Sequence, residues 1–174
     1  WTPDYLRSEL SSISMRDTQW WPHAVKGLLA EHILPQPGAY VFETVPMKVV
    51  LDALPFLTEL LQSASEAVVR PPQIAIGAAG TGAPLHSHNP SISLLLHGSK
   101  RWRLLPPAVA MWGLDVYGGE GCPGLVEFEQ RAGDVVFVPD AWAHSTLLLG
   151  TCVSVTIEFI PVSHPLFEPR FKLH

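Results

Sequence analysis

The stretch that decides the fold is GDVVFVPDAWAH, residues 133–144. Its first half, Asp134–Val138, is a short apolar run between a glycine and a proline, a pattern that predicts a β-strand bounded by turns. His144 then opens a second apolar run, which ends at Leu149. The stretch therefore predicts two consecutive strands, with a histidine at the start of the second.

Similar runs fill the chain from Gln73 onward. Each is short, mostly apolar and bounded by turn residues, as strands are in a sandwich or a small barrel. The predicted strands are Ile74–Ala78, Pro84–His88, Ser91–His97, Lys100–Leu105, Val126–Gln130, Asp134–Val138, His144–Leu149 and Cys152–Phe159.

The residues before Gln73 have a helical pattern instead. Three helices are predicted in this part of the chain. The third, Met47–Leu61, has leucines along one face, which predicts that this face packs in the core, and Pro55 is expected to kink or split the helix. Later in the chain, Pro106-Pro107 is expected to end a strand and open a short helix through Trp112, and residues 118–124 are expected to form a flexible loop. The predicted early helices are Asp4–Leu10, His23–Leu34 and Met47–Leu61.

The composition fits one compact domain. The chain has 174 residues, of which 47% are hydrophobic and 16% charged, and its net charge is −5. Its scattered basic residues argue against direct nucleic-acid binding, and no apolar stretch approaches the ~18 residues of a membrane span. We expect a soluble single domain over 1–174, with helical support in 1–39, a barrel core in 40–160 and a tail in 161–174.

The two cysteines are too few for a disulfide framework. Cys122 and Cys152 are expected to be free thiols, with one disulfide between them left open.

His86-Ser-His88 is an H-x-H pair in the strand-rich half. Side chains at i and i+2 of a strand point to the same face, so both imidazoles can reach one metal ion. By itself the pair is equally compatible with two histidines that only make hydrogen bonds.

Lys100 is one of four lysines and lies in an apolar strand between Gly98 and Trp102. Strand alternation puts Lys100, Trp102 and Leu104 on one face and the neighbouring arginines on the other. A buried ammonium requires an anionic partner, so Lys100 is a candidate anion ligand. The alternative is a surface lysine on a polar face.

Five strings lie in order between residues 40 and 144. They are Tyr40-Val-Phe42-Glu43, Arg70-Pro71-Pro72, Gly80-Thr-Gly82-Ala-Pro84-Leu-His86, Gly98-Ser-Lys100-Arg101-Trp102-Arg-Leu104-Leu-Pro106-Pro107, and the stretch 133–144. In this order they resemble the JmjC proteins, the jumonji-type oxygenases of the cupin superfamily, over about residues 40–160.

The resemblance implies a mainly β protein, a double-stranded β-helix (the cupin or JmjC jelly-roll barrel) with N-terminal helices. It implies Fe(II) held by His86, His88 and His144, with His88 standing where the family has Asp or Glu. Zn, Ni, Mn or Cu also suit three imidazoles. No catalytic residue is implied beyond these metal ligands.

The resemblance also implies 2-oxoglutarate as cosubstrate, with Lys100 binding its far carboxylate. Ala83 replaces the threonine that the family uses as a second contact, and Thr81 or Ser93 is expected to supply the missing hydroxyl. The residues expected to line the pocket are Tyr40, Trp102 and Trp142.

Three functions follow as hypotheses. The first is an Fe(II)- and 2-oxoglutarate-dependent oxygenase that hydroxylates a protein or peptide side chain, as a monomer or homodimer. Hydroxylation is favoured over lysine demethylation because the sequence shows no zinc finger, reader domain or basic arm. The second is a JmjC-fold binding or scaffold protein without catalysis, and the third is a three-histidine cupin dioxygenase that does not use 2-oxoglutarate. The compartment stays open between the endoplasmic reticulum lumen and the cytoplasm or nucleus.

Overall fold

A computed structural model describes residues 40–63, 67–107 and 123–161 of the chain. Strands dominate this part, as the sequence predicts. The elements are β1 (Tyr40–Thr44), α1 (Met47–Ala53), α2 (Phe56–Ser63), β2 (Ala67–Val69), β3 (Gln73–Gly77), β4 (Ser91–His97), β5 (Ser99–Leu105), β6 (Val126–Arg131), β7 (Val135–Val138), β8 (Ala143–Leu148) and β9 (Cys152–Pro161).

The strands form two antiparallel sheets. The larger has the order β1-β3-β9-β4-β7, with β2 also paired to β9, and the smaller has the order β6-β5-β8. The chain passes from one sheet to the other at Gly98, between β4 and β5. Gly98 has a φ of 85°, and a Cβ there would lie 2.3 Å from the Thr151 carbonyl oxygen, so the turn requires glycine.

Side chains alternate between the two faces of the larger sheet, so that one face packs in an apolar core and the other lines a polar cavity. On the larger sheet, Ile74, Ile76 and Ile157 are fully buried and pack with Val50 of α1 and Leu57 of α2. Burial stabilises the fold by roughly 1.5–3 kcal/mol for each such side chain. The opposite face of this sheet and the facing side of the β6-β5-β8 sheet enclose the cavity described below.

Seven of the predicted strands are confirmed within one or two residues. The prediction for Pro84–His88 is wrong, because only His86 makes an isolated bridge there, to His144. Pro84, the first residue of the segment, and Pro90, two residues beyond its end, have no N–H to donate to a ladder. The predicted face of β5 is confirmed, with Lys100 and Trp102 buried and Arg101 exposed between them.

The predicted helix Met47–Leu61 is confirmed as two helices that separate at Leu54-Pro55. The expectation that strands begin only at Gln73 is wrong, since β1 and β2 precede it. β1 pairs with β3 along its whole length, from Tyr40 opposite Gly77 to Thr44 opposite Gln73. This long-range pairing decides its conformation, and local pattern does not reveal it.

Other predictions lie outside the described residues: the helices Asp4–Leu10 and His23–Leu34, the helix through Trp112, most of the 118–124 loop, and Cys122. Cys152 is a buried free thiol, as expected. No helix in the described ranges is long and apolar enough to cross a membrane.

Candidate metal centre

Three histidines converge at one end of the cavity. The backbone N–H groups of His86 and His144 each donate to the other residue's carbonyl, at 3.0 and 2.8 Å, so this bridge sets the two side chains together. His88 joins them, and one ligand nitrogen from each of the three rings lies within 4.8 Å of the others.

A backbone carbonyl fixes the tautomer of each ring. His86 Nδ1 lies 2.7 Å from the Pro84 oxygen, and His88 Nδ1 lies 2.6 Å from the Asn89 oxygen. His144 Nδ1 lies 3.0 Å from the Trp142 oxygen. Because a carbonyl only accepts, each Nδ1 carries the hydrogen and the ring lone pair is on Nε2, the arrangement of metal-binding histidines.

Burial keeps two of these imidazoles neutral. Burial, and after it the neighbouring His86, lower the pKa of His144 from its ordinary value to about 3. Burial also lowers the pKa of His86, against the opposing effect of its hydrogen bond to Pro84. Neutral imidazoles bind metal without first losing a proton, so both rings are ready ligands at neutral pH.

The loop between β7 and β8 makes a backbone hydrogen bond to His88. Ala141 donates its N–H to the His88 carbonyl at 3.2 Å. Its φ is 58°, and within the described ranges it is the one residue other than glycine with a positive φ. This left-handed conformation is unfavourable for alanine, so the loop holds strain of about 1–3 kcal/mol next to the site.

The donor set fits a divalent transition metal. Three imidazoles suit Fe, Zn, Ni or Cu and leave positions for other ligands. Among the described residues that line the cavity, none is acidic. The protein therefore contributes no negative charge to the ion from these residues.

Lys100 lies in the same cavity. The residue is 4% exposed, and its Nζ donates to Ser93 Oγ at 3.1 Å and to Ser154 Oγ at 3.3 Å. The ammonium also lies 4.8 Å from the centre of the Trp102 ring. In the described part of the chain it forms no ion pair with a carboxylate, and burial lowers its pKa to about 7.

The cavity is narrow, with a volume of about 40 Å³. Of the predicted site residues, the structure brings together the three histidines, Lys100, Ser93, Tyr40 and Trp102. Thr81 and Trp142 do not line it. The Thr81 hydroxyl donates to the Ala78 carbonyl at 2.7 Å, while Trp142 packs in the cluster around Trp102 and contributes its carbonyl to His144.

Four further serine and threonine residues line the cavity, beyond those that the sequence predicts: Ser91, Thr146, Ser154 and Thr156. Ser154 and Thr156 project from β9 towards Lys100 and Ser93, and Thr156 Oγ1 donates to Ser93 Oγ at 3.3 Å. Thr146 of β8 accepts the Ala83 N–H at 3.1 Å. The sequence alone could have indicated Ser154 and Thr156, because they are polar residues at alternate positions of an apolar strand.

Comparisons with known proteins agree with this geometry. A family model described as "JmjC domain, hydroxylase" matches residues 120–159. JmjC domain-containing protein 8 of Mus musculus is 35% identical over 92 residues, which are 47% of this chain and 34% of that protein. The Homo sapiens protein of the same name is 36% identical over 97 residues, 47% of this chain and 35% of that protein. The chain thus matches about a third of the length of these relatives.

Solved structures share the fold. The X-ray structure of Escherichia coli ycfD superposes with a TM-score of 0.61 at 13% identity, over 91% of this chain and 45% of that one. A crystal structure of Escherichia coli ribosomal oxygenase YcfD gives 0.52 at 15% identity, over 69% and 31%.

The two sheets, the cavity between them and these superpositions define a mainly β protein of the cupin fold, a double-stranded β-helix. Within that class the sequence is similar to JmjC-domain proteins, so the resemblance drawn from the motifs is confirmed.

Proposed function

We propose that this chain is a JmjC-type oxygenase that binds Fe(II) through His86, His88 and His144 and uses 2-oxoglutarate to hydroxylate a protein side chain. The observation that carries the proposal is Lys100. It is a buried ammonium with hydroxyl partners and no carboxylate partner among the described residues, and it shares a cavity with three histidines. An anion that reaches both ends of that cavity would compensate a charge that is otherwise unfavourable to bury.

The charge of the site favours a dianion. Three neutral imidazoles leave a divalent ion with its two positive charges, and the Lys100 ammonium adds a third. A dicarboxylate would offset two of them, whereas an acid in place of His88 would already have offset one. 2-oxoglutarate matches this demand because it has a chelating end for the metal and a second carboxylate for Lys100.

The chain's own residues have distinct tasks in this proposal. When bound, Fe(II) and 2-oxoglutarate would supply the activation of O2 for insertion of an oxygen atom into a C–H bond. Lys100, Ser93 and Ser154 would hold the far carboxylate with charge-assisted hydrogen bonds. Tyr40 and Trp102 would orient the cosubstrate and exclude water.

Two similarities favour a protein substrate and hydroxylation. The matching family model is described as a hydroxylase, and a structure of the same fold is that of a ribosomal oxygenase. Both come from proteins other than this one, so the substrate class belongs to the proposal.

The proposal is tested by turnover of 2-oxoglutarate. Protein with Fe(II) and ascorbate should convert 2-oxoglutarate to succinate, measured by NMR, and a peptide library should then show a mass gain of about 16 Da, one oxygen atom. His86→Ala should abolish succinate formation, and Lys100→Met should raise the 2-oxoglutarate concentration needed for half-maximal succinate formation by roughly 30-fold or more. Lys48→Met, at an exposed lysine paired with Asp52, should not change it. An unchanged half-maximal concentration in Lys100→Met would contradict the proposed role of Lys100.

A second candidate is a protein of this fold that binds a metal without 2-oxoglutarate turnover, either as a scaffold or as a three-histidine dioxygenase. His88 in place of an acid and Ala83 in place of a threonine favour it, as does the small cavity volume. It predicts Fe(II) binding with no succinate formed under any of these conditions.

A further inference from the structure

We propose that Glu158 and Asn89 act as a positioning pair that holds His88 in place as a metal ligand. This inference rests on one part of the proposed function, namely that the three histidines bind a divalent metal. It concerns the residue that departs from the family pattern, and it explains how an imidazole is held at a position where the family has a short acid.

His88 lies outside the reciprocal backbone bridge that joins the other two ligands, although its carbonyl accepts from the Ala141 N–H at 3.2 Å. His86 and His144 are joined by two reciprocal backbone hydrogen bonds. His88 lies beyond that bridge, in the segment before β4, and belongs to no strand. Its direction therefore depends on hydrogen bonds of its own ring and backbone.

A chain of hydrogen bonds links the His88 ring to β9. His88 Nδ1 donates to the Asn89 carbonyl at 2.6 Å, and the Asn89 side-chain amide donates to Glu158 Oε1 at 2.7 Å. The Glu158 side chain is 13% exposed, and its other oxygen accepts from Arg70 at 3.3 Å. Because the carbonyl and the amide belong to one residue, anchoring the amide fixes the direction in which the carbonyl meets the His88 ring.

The same loop is anchored a second time at the next residue of β9. The Phe159 N–H donates to the Pro90 carbonyl at 2.8 Å. Proline also restricts the residue before it, here Asn89, to extended conformations. The segment that carries the carbonyl is thus held on β9 by its side chain at Glu158 and by its backbone at Phe159.

We expect Glu158 to hold His88 through the geometry of its hydrogen bond to Asn89 more than through its charge. Arg70 lies against Glu158 and offsets its negative charge. A neutral side chain with an oxygen at the same place should therefore preserve the position of His88, and a side chain without one should not.

The experiment is a Co(II) titration of the metal-free protein, followed by visible absorption. Partners that orient metal-binding histidines typically contribute 10–100-fold to affinity. We expect the dissociation constant for Co(II) to rise by about 10–100-fold in Glu158→Ala and in Asn89→Ala, which keeps the backbone carbonyl but loses the amide anchor. Glu158→Gln should stay within a few-fold of the wild type, because its amide oxygen can still accept from Asn89.

Two readouts separate positioning from a general loss of structure. The Co(II) spectra of Glu158→Ala and Asn89→Ala should shift towards that of His88→Ala, and combining the two substitutions should add little to the stronger single effect. Glu127→Ala is the matched control, since it removes another carboxylate paired with an arginine, Arg103, on the smaller sheet. Its Co(II) affinity and spectrum should match the wild type.

Each other outcome overturns a definite part of the account. Wild-type affinity in both alanine variants, or an affinity of Glu158→Gln as low as that of Glu158→Ala, would overturn the positioning pair and leave the metal site intact. If the wild type and His144→Ala bind Co(II) equally weakly, the metal site itself fails, and with it the proposed function.

Discussion

Lys100→Met should make the ligand-free protein more stable while weakening its function. The substitution keeps an unbranched side chain that is one heavy atom shorter, and it removes the charge. Burial lowers the pKa of Lys100 from 10.5 to about 7, and this difference corresponds to a penalty of about 5 kcal/mol, as an upper bound, for keeping the ammonium charged in the fold. Loss of the hydrogen bonds to Ser93 and Ser154 offsets about 1–3 kcal/mol of the gain. The net expectation is that the variant is more stable by about 2–4 kcal/mol below pH 7.

The lowered pKa of Lys100 also determines the direction in which the free energy of unfolding changes with pH. The unfolded chain keeps the Lys100 proton up to a pH of about 10.5, and the folded chain keeps it only up to about 7. The unfolded state therefore binds more protons between these values, so the free energy of unfolding of the wild type rises with pH in this window. Lys100→Met lacks this contribution, and its advantage over the wild type should disappear as the pH rises.

Ligand binding should change in the opposite direction. Removing one partner of a buried, hydrogen-bonded charge pair weakens binding by about 2–5 kcal/mol, which is roughly 30-fold or more in the dissociation constant of 2-oxoglutarate. A single substitution thus raises stability and lowers affinity. This is expected where a buried charge destabilises the fold but is needed to bind the ligand.

Urea denaturation at pH 6.5 and 9.5, with and without 2-oxoglutarate and metal, measures both effects. Lys48→Met is the control, because Lys48 is 81% exposed and paired with Asp52. A Lys100→Met variant that is less stable than the wild type at pH 6.5 and shows the same pH profile would refute the reasoning. Lys100 would then be an ammonium that the folded protein accommodates without an anion.

Further predictions concern the same site. His144 has a pKa of about 3 in the fold and 6.5 when unfolded, so the stability of the metal-free protein should fall by up to ~1.4 kcal/mol per pH unit as the pH is lowered from 6.5, and His144→Gln should flatten this slope in acid denaturation. Gly82→Ala should destabilise the fold by about 1–3 kcal/mol or more and weaken Co(II) binding, because its Cβ would lie 1.9 Å from a β8 carbonyl oxygen. Gly133→Ala is the control and should leave Co(II) binding unchanged, because a Cβ added at Gly133 would have no atom within 4 Å. Gln130→Leu should destabilise by about 2–4 kcal/mol in thermal unfolding, because Gln130 accepts from the Trp102 indole and donates to two backbone carbonyls; a change below ~0.5 kcal/mol would contradict this.

Local pattern is sufficient to predict much of the fold. The alternation of β5 by itself places Lys100 and Trp102 inside and Arg101 outside, because the side-chain period of a strand is two. Proline positions predict the break between α1 and α2. The same reasoning fails for Pro84–His88, where two histidines share a site although their segment makes only one bridge.

Long-range contacts account for what the sequence does not reveal. Ser154 meets Lys100 across 54 residues, and Asn89 meets Glu158 across 69. Nothing near any of these residues in the sequence encodes such a pair. The first contact crosses from β9 of the larger sheet to β5 of the smaller one, and the second follows from the pairing of β9 with β4. Thr81 illustrates the converse, because the nearby Ala78 carbonyl accepts from the hydroxyl that the sequence places in the pocket.

The central claim is that three histidines and Lys100 together form a 2-oxoglutarate site, and an anaerobic titration tests it most directly. 2-oxoglutarate is added to the Fe(II)-loaded protein while the visible metal-to-ligand charge-transfer band is recorded. The account predicts a saturable band that requires His144 and whose midpoint shifts at least ~30-fold in Lys100→Met. Bound Fe(II) with no band at any 2-oxoglutarate concentration would contradict it.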